Sequence, residues 1–213
     1  MKICAIADFH SNLSLKTLPA DVLVIAGDLT YNGSMLELGN VRHWLKEQPQ
    51  KYKIVIAGNH DFCFENHHKE EAKSILSGDN IFYLQDELLV LEGIRFYGAP
   101  WQPWFYDWAF NLQRGQPLKE KWDLIPNNVD VLITHGPPYG YGDKTIRGER
   151  VGCEDLLEAI KKKEPKYHLF GHIHEDYGDW VFNKTRLINC NVGYKVGAHP
   201  TGYPVLFDIE ETK

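Results

Sequence analysis

The sequence predicts an α/β fold. In it, two packed sheets of mixed strands form one domain over residues 1–213, with helices on the outer faces. Three observations carry this reading. Five short apolar runs each end in a polar cluster built from Gly, Asp, Asn or His, as buried strands with functional carboxyl ends do. Stretches of helical period separate some of these runs, as in βαβ units. In the middle and near the end, closely spaced apolar runs read instead as strand-turn-strand pairs. With 43% hydrophobic and 13% aromatic side chains, 213 residues hold enough apolar material for a core of that size.

Taken in order, the run 2–7 ends in Asp8, and 22–26 ends in Gly27-Asp28. Residues 34–48 read as a helix with Leu38, Val41 and Leu45 on one face, Trp44 beside them, and the Ser34/Glu37 spacing of a capping box. Gly39 inside it costs about 1 kcal/mol relative to Ala. The run 54–57 ends in Gly58-Asn59-His60-Asp61, and 65–76 reads as a second helix. Residues 81–84, 88–91 and 94–97 form the first group of hairpin-like strands, with Gly93 in a tight turn. The run 129–134 ends in His135-Gly136. The glycine-rich loop 137–150 has no apolar period and reads equally as a cleft rim or a plain surface loop. A third helix over 153–163 places Leu156, Leu157 and Ile160 together and is stopped by Pro165. The run 167–170 ends in Gly171-His172, and 187–193 and 205–209 resemble the earlier hairpin strands.

Composition narrows the function. The net charge is −6, and 161–163 is the densest basic run, so the basic stripe of a duplex-binding protein is absent. An anionic substrate stays compatible, because bound metal ions reverse the local sign. Four scattered cysteines form no C-x-x-C pair, and Cys4 within an apolar run reads as a buried free thiol. Residues 1–8 enter a strand directly, and no apolar run nears the roughly 20 residues of a membrane helix. The expectation is a cytoplasmic protein with no membrane partner; the oligomeric state is left open.

The polar clusters are Asp8-x-His10, Gly27-Asp28, Gly58-Asn59-His60-Asp61, His135 and Gly171-His172-x-His174. Ligands of open α/β sheets bind beyond the carboxyl ends of strands, so the five clusters converge on one cleft. Any one alone is compatible with a surface turn or a hydrogen-bonded structural histidine; five in order are not. Two carboxylates, an amide oxygen and four imidazoles suit a pair of divalent transition ions (Mn, Fe, Zn, Ni or Co) over Ca or Mg. Two such ions bring about +4, which Asp8, Asp28 and one hydroxide offset by about −3. The net positive site is where a phosphoester docks.

This order of motifs resembles the calcineurin-like metallophosphoesterase superfamily, from Asp8 to His174. The stretches 100–105 and 110–115, with Thr134-His135-Gly136-Pro137-Pro138, further resemble its metallophosphoesterase-domain-containing branch. The resemblance implies a four-layer α/β/β/α sandwich. It implies one ion on Asp8, His10, Asp28 and His174 and another on Asn59, His135 and His172, with Asp28 bridging. Manganese is the first ion to try in vitro. A hydroxide bridging the ions would be the nucleophile, His60 would protonate the leaving alkoxide, and Asp61 would orient His60 and keep it protonated. Protein phosphatases of the superfamily carry arginines after G-D and beside G-N-H. Here Leu29-Thr30-Tyr31 follows Asp28 and Ala57 precedes Gly58, so a phosphoprotein substrate is disfavoured. The short tail after His174 argues against the DNA-binding extension of the repair-nuclease branch.

The expected function is therefore a phosphodiesterase on small diesters such as cyclic nucleotides. The alternatives are a phosphomonoesterase, or a non-catalytic scaffold that kept the fold. Complete ligands with His60 and Asp61 disfavour the scaffold. Asn59, His60, Arg114 and Trp101 are the candidate substrate contacts. Trp101, Trp104, Phe105, Tyr106, Trp108 and Phe110 either wall the cleft or fill a seam between sheet and loop. Arg114 either reaches the phosphate or braces a carboxylate, and Asn111 is equally open. His43, His67, His68, His168 and His199 read as surface or structural residues.

Overall fold

A computed structural model describes residues 1–193 and 202–210; His199 lies outside them. The chain begins β1 (Lys2–Ile6), β2 (Val22–Ala26), α1 (Met35–Glu47), β3 (Tyr52–Ile56), α2 (Lys69–Ile75) and β4 (Ile81–Tyr83). It continues β5 (Glu87–Leu91), β6 (Ile94–Ala99), β7 (Gln102–Pro103), β8 (Asn111–Leu112), α3 (Gln116–Asp123) and β9 (Val131–Thr134). It closes with α4 (Glu154–Lys163), β10 (Tyr167–Phe170), β11 (Gly178–Phe182), β12 (Thr185–Asn189) and β13 (Val205–Asp208). The first sheet runs β13-β1-β2-β3-β4 and the second β11-β12-β10-β9-β6-β5, while β7 and β8 pair separately.

Strand alternation builds the layers. Cys4, Ile6, Leu23, Ile25 and Val55 point outward to Leu38, Val41, Trp44 and Leu45 of α1 and to Ala72 of α2. Their neighbours Ile3, Ala5, Val22, Val24 and Ile54 point inward, meeting Phe96, Val131, Ile133, Leu169 and Ile188 of the second sheet. On the far side Tyr97, Leu132, Phe170 and Leu187 pack against Leu118 and Trp122 of α3 and Leu156 and Ile160 of α4. Because both faces of every central strand are covered, the strands read as near-continuous apolar runs. The result is the expected α/β/β/α sandwich.

α1 starts at the expected capping box, with the Glu37 amide donating to Ser34 Oγ at 3.2 Å. Three expectations are corrected. The helix foreseen over 65–76 begins only at Lys69: Asn66 Oδ1 accepts from the His68 amide at 2.8 Å, closing a local turn that competes with helix, and Glu65 is drawn to the Phe110 amide. Residues 81–84 do not pair with the strand that follows; the α2 crossover lays β4 parallel to β3 at the first sheet's edge. Only β5 and β6 form the hairpin around Gly93. Likewise β12 joins β10 and β11, whereas β13 crosses to β1, antiparallel, in the other sheet. Among the described residues no helix is long and apolar enough to cross a membrane.

β1, β2 and β3 are parallel, as are β9, β10 and β12, so their carboxyl ends gather on a common rim. The sheets are stitched there by the Ala7 amide donating to Cys190 O at 2.8 Å and the Val192 amide to Ala7 O at 3.0 Å.

Candidate metal centre

Each strand end turns sharply into the rim. Asp8, His10, Ser11, Asp28 and His172 have left-handed backbones, with φ of 56°, 46°, 55°, 54° and 71°. Such geometry costs an L-residue about 1–2 kcal/mol, and it clusters where side chains are held for function. The loops after β1 and β2 are zipped together by His10 N–H to Asp28 O and Ser11 N–H to Leu29 O, both 2.9 Å. Close approach explains two of the motif glycines. A Cβ on Gly58 would sit 2.3 Å from Asp28 Oδ1, and one on Gly171 would sit 2.3 Å from Asp8 Oδ2.

The expected residues converge. Ligand atoms of Asp8, His10 and His174 lie within 4.8 Å of one another, as do those of Asp8, Asp28 and His135, and of His10, Asp28 and His60. His174 Nε2 is 3.2 Å from Asp8 Oδ1. Asp28 faces two ways: Oδ1 is 3.4 Å from His135 Nε2, and Oδ2 is 3.6 Å from His10 Nε2. One carboxylate thus spans both halves of the cluster. Asn59 Oδ1 lies 2.8 Å from His135 Nε2, and the His172 ring lies 5.0 Å from that of His135. The amide of His172 donates to both oxygens of Asp8, at 3.1 and 3.0 Å.

The donor set fits divalent ions. Burial pushes the imidazoles of His10 and His172 down to about 4 and about 3, and lowers His135, so all three are neutral and present lone pairs at neutral pH. His10 Nδ1 is buried with no hydrogen-bond partner. Burial, with Asp8 adjacent, raises the Asp28 carboxyl well above its ordinary range. Burial would also raise Asp8, but His174, with His135 and His10, outweighs it and holds Asp8 low, while Asp8 in turn carries His174 up to about 9 against its own burial. Two nearly inaccessible carboxylates side by side call for more cation than one histidine supplies, and divalent ions provide it.

His60 stands at the open edge of the cluster. Its Nδ1 is 2.6 Å from the Tyr31 carbonyl, which leaves Nε2 as the free nitrogen, and its amide donates to Asp28 Oδ1 at 2.9 Å. The role expected for Asp61 is corrected, since its carboxylate does not touch the His60 ring. It accepts from the amides of Gly58 (2.8 Å), Leu29 (3.0 Å) and Thr30 (2.8 Å) and from the Thr30 hydroxyl (2.7 Å). Asp61 therefore ties the loop after β3 to the loop after β2, the loop whose Tyr31 carbonyl faces the His60 ring.

Of two further candidates, Trp101 lies elsewhere than expected and Arg114 takes one of its two expected roles. The Trp101 indole faces away from the cluster, donating to Asp86 at 2.7 Å with Lys121 Nζ 4.0 Å above its ring. Arg114 lines the same cavity as His172 and braces the loop before α4 through the carbonyls of Val151 and Gly152, both 2.7 Å, and through the Glu154 carboxylate. The aromatic segment divides: Trp101 and Phe110 pack inward, while Phe105 lies 5.0 Å from His172 and Trp108 lies 4.4 Å from His60, ring to ring. Asn111 clasps this loop, donating to the carbonyls of Phe105 and Tyr106. Of the histidines outside the motifs, His43 and His68 pair with Glu47 and Glu71, and His168 is fully buried beside Thr134.

Sequence reasoning did not single out Thr30, Tyr31, Asn189 or Asn191. Asn189 Nδ2 donates to the carbonyls of Ile173 and Asp176, and Asn191 Nδ2 to that of His174; together they pin the G-H-x-H loop. The polar pair closing the apolar run 187–190 was the available signal.

A family model described as calcineurin-like phosphoesterase matches residues 1–176. Metallophosphoesterase domain-containing protein 1 of Homo sapiens is 40% identical over 236 residues, covering 98% of this chain and 71% of that protein. The UPF0046 protein T07D4.2 of Caenorhabditis elegans is 42% identical over 228 residues, covering 91% of this chain and 56% of that one. The protein TT1561 of Thermus thermophilus shares the fold, with a TM-score of 0.61 at 14% identity over 90% of this chain and 88% of that one. The strand-end ligand cluster and these matches agree: the chain belongs to the calcineurin-like phosphoesterase family, whose chemistry is metal-dependent phosphoester hydrolysis.

Proposed function

We propose that the chain is a phosphodiesterase acting on small diesters, cyclic nucleotides among them, with manganese as the ion to load in vitro. One observation carries the preference for diesters: among the described residues, the cluster opens into a hollow at His60 and another at His172. A hollow of about 490 Å³ meets it at His60, and another of about 460 Å³ meets it at His172, with Tyr106 on the wall of both. A diester has two arms to seat; a monoester has one.

Asp8, His10, Asp28, Asn59, His135, His172 and His174 would hold the ions, which when bound supply Lewis acidity and a water ionised at neutral pH. The chain's own residues supply the rest. Asp28 and Asp8 hold the imidazoles in place. His60 would stand beside a docked phosphate, with Nδ1 donating to the Tyr31 carbonyl, so that a proton on Nε2 could pass to the departing oxygen. An alkoxide needs that proton far more than p-nitrophenolate does.

The test is a metal-loaded enzyme assayed on bis-p-nitrophenyl phosphate, 2′,3′- and 3′,5′-cyclic nucleotides, and p-nitrophenyl phosphate. The expected result is higher kcat/KM on diesters than on the monoester. Turnover of the monoester alone rejects the proposal.

A further inference from the structure

The two hollows differ in chemistry. The one at His60 is lined by Tyr31, Asn32, Phe62, Tyr106, Asp107 and Trp108, with no lysine or arginine. Trp108 is its organising side chain. The indole lies 4.4 Å from the His60 ring and 5.9 Å from Phe62, nearly parallel to the latter at 28°. Tyr31 stands on the other side of His60, 5.8 Å away ring to ring. The hollow at His172 has aromatic walls of its own in Phe105 and Tyr106 but differs in charge, with Arg114, Arg147, Glu149 and Glu175 lining it.

Resting on the diester reading above, we infer that Trp108 determines specificity for the leaving arm, and that the hollow at His60 takes an uncharged, planar group such as an aryl or nucleobase-bearing alcohol. The departing oxygen must lie at the proton donor, so the arm attached to it lies on the His60 side. A flat aromatic wall stacks on a planar group. Asp107 and the lack of a cation disfavour an arm with its own phosphate. The arm retained on phosphorus falls to the hollow at His172, where charged side chains stand. In the reaction, the P–O bond to the leaving arm breaks as one to water's oxygen forms. The proton on His60 goes to the departing oxygen, and a proton from the water returns to the ring through solvent.

The test compares methyl p-nitrophenyl phosphate with methyl 2,2,2-trifluoroethyl phosphate, which share a retained arm and differ in the flatness of the leaving one. Intrinsic leaving-group reactivity cancels when the aryl-to-alkyl ratio of kcat/KM is compared between enzymes. Trp108→Ala is expected to lower that ratio about tenfold or more, and Trp108→Phe to recover most of it. Metal content of each variant checks that the centre is intact. Replacing the retained methyl by thymidine, with p-nitrophenolate leaving, is expected to change wild type and Trp108→Ala alike. Equal loss on both leaving arms overturns the inference, as does an effect that follows the retained arm. A wild type that turns over only monoesters overturns the diester reading itself, which is a different and recognisable result.

Discussion

The two sheets contribute unequally to the centre. The first supplies both carboxylates, the amide and His60, on loops laced to one another by His10, Ser11 and Asp61. The second supplies only imidazoles, and these lean on the first: His172 is held by the Asp8 carboxylate and His135 by the Ala26 carbonyl, 3.0 Å from Nδ1. The negative charge and the stiffness therefore reside on one side, and imidazoles close over it from the other. A ligand lost from the first sheet removes charge and scaffold; one lost from the second removes a donor.

The largest expected contrast follows directly. Asp28→Ala should lower kcat/KM about a thousandfold, because the several kcal/mol of metal charge goes with it. His172→Ala should cost less than Asp28→Ala and keep more bound metal, because it removes a neutral donor and no charge. Steady-state kinetics with metal analysis on both variants checks this, and equal losses would break the asymmetry. Next, Asp61→Ala should destabilise the fold by about 3 kcal/mol in urea unfolding, because it strands buried amides. If Asp61 instead acted on His60 alone, stability would hold while activity fell.

The second sheet carries its own liability in His168. Burial depresses its folded pKa from 6.5 to about 3. Unfolded chains therefore bind a proton here that the folded chain refuses. The stability is fully present above about pH 6.5 and is lost as pH falls toward 3, about 2–3 kcal/mol of it by pH 4.5. His168→Gln should flatten that slope by one proton in unfolding curves across this range, and an unchanged slope would exclude His168 as its source. The smallest effect is expected at Arg114→Ala. Its guanidinium is already engaged by two carbonyls and Glu154, so kcat/KM should change less than about threefold while stability drops by roughly 1 kcal/mol. A large fall in kcat/KM would return Arg114 to the substrate.

Much of this was legible in the sequence, for a physical reason. Strands buried on both faces leave continuous apolar runs, and the polar residue that ends such a run must lie on the rim. Asp8, Asp28, Asn59, His135, His172 and His174 were found that way. Pairing was less legible: nothing in residues 81–84 says that an intervening helix will carry them to β3, nor that 205–208 will return to β1. Side-chain direction from loops was not legible at all. Trp101 and Trp108 are equivalent as letters, yet one turns to Asp86 and the other to His60. Asp61 follows His60 directly but spends its oxygens on backbone amides.

The pairing of β13 with β1 has a consequence for how the molecule comes into being. Lys2 to Ala5 lie beside Val205 to Asp208, and the Ile209 amide reaches the Met1 carbonyl at 2.9 Å. The strand that delivers Asp8 therefore waits for partners nearly the whole chain away, a high contact order that slows folding. A ribosome-bound chain that has emerged only as far as β12 leaves one flank of β1 bare, an unpaired edge open to wrong partners. Competence thus waits until β13 has emerged and found β1.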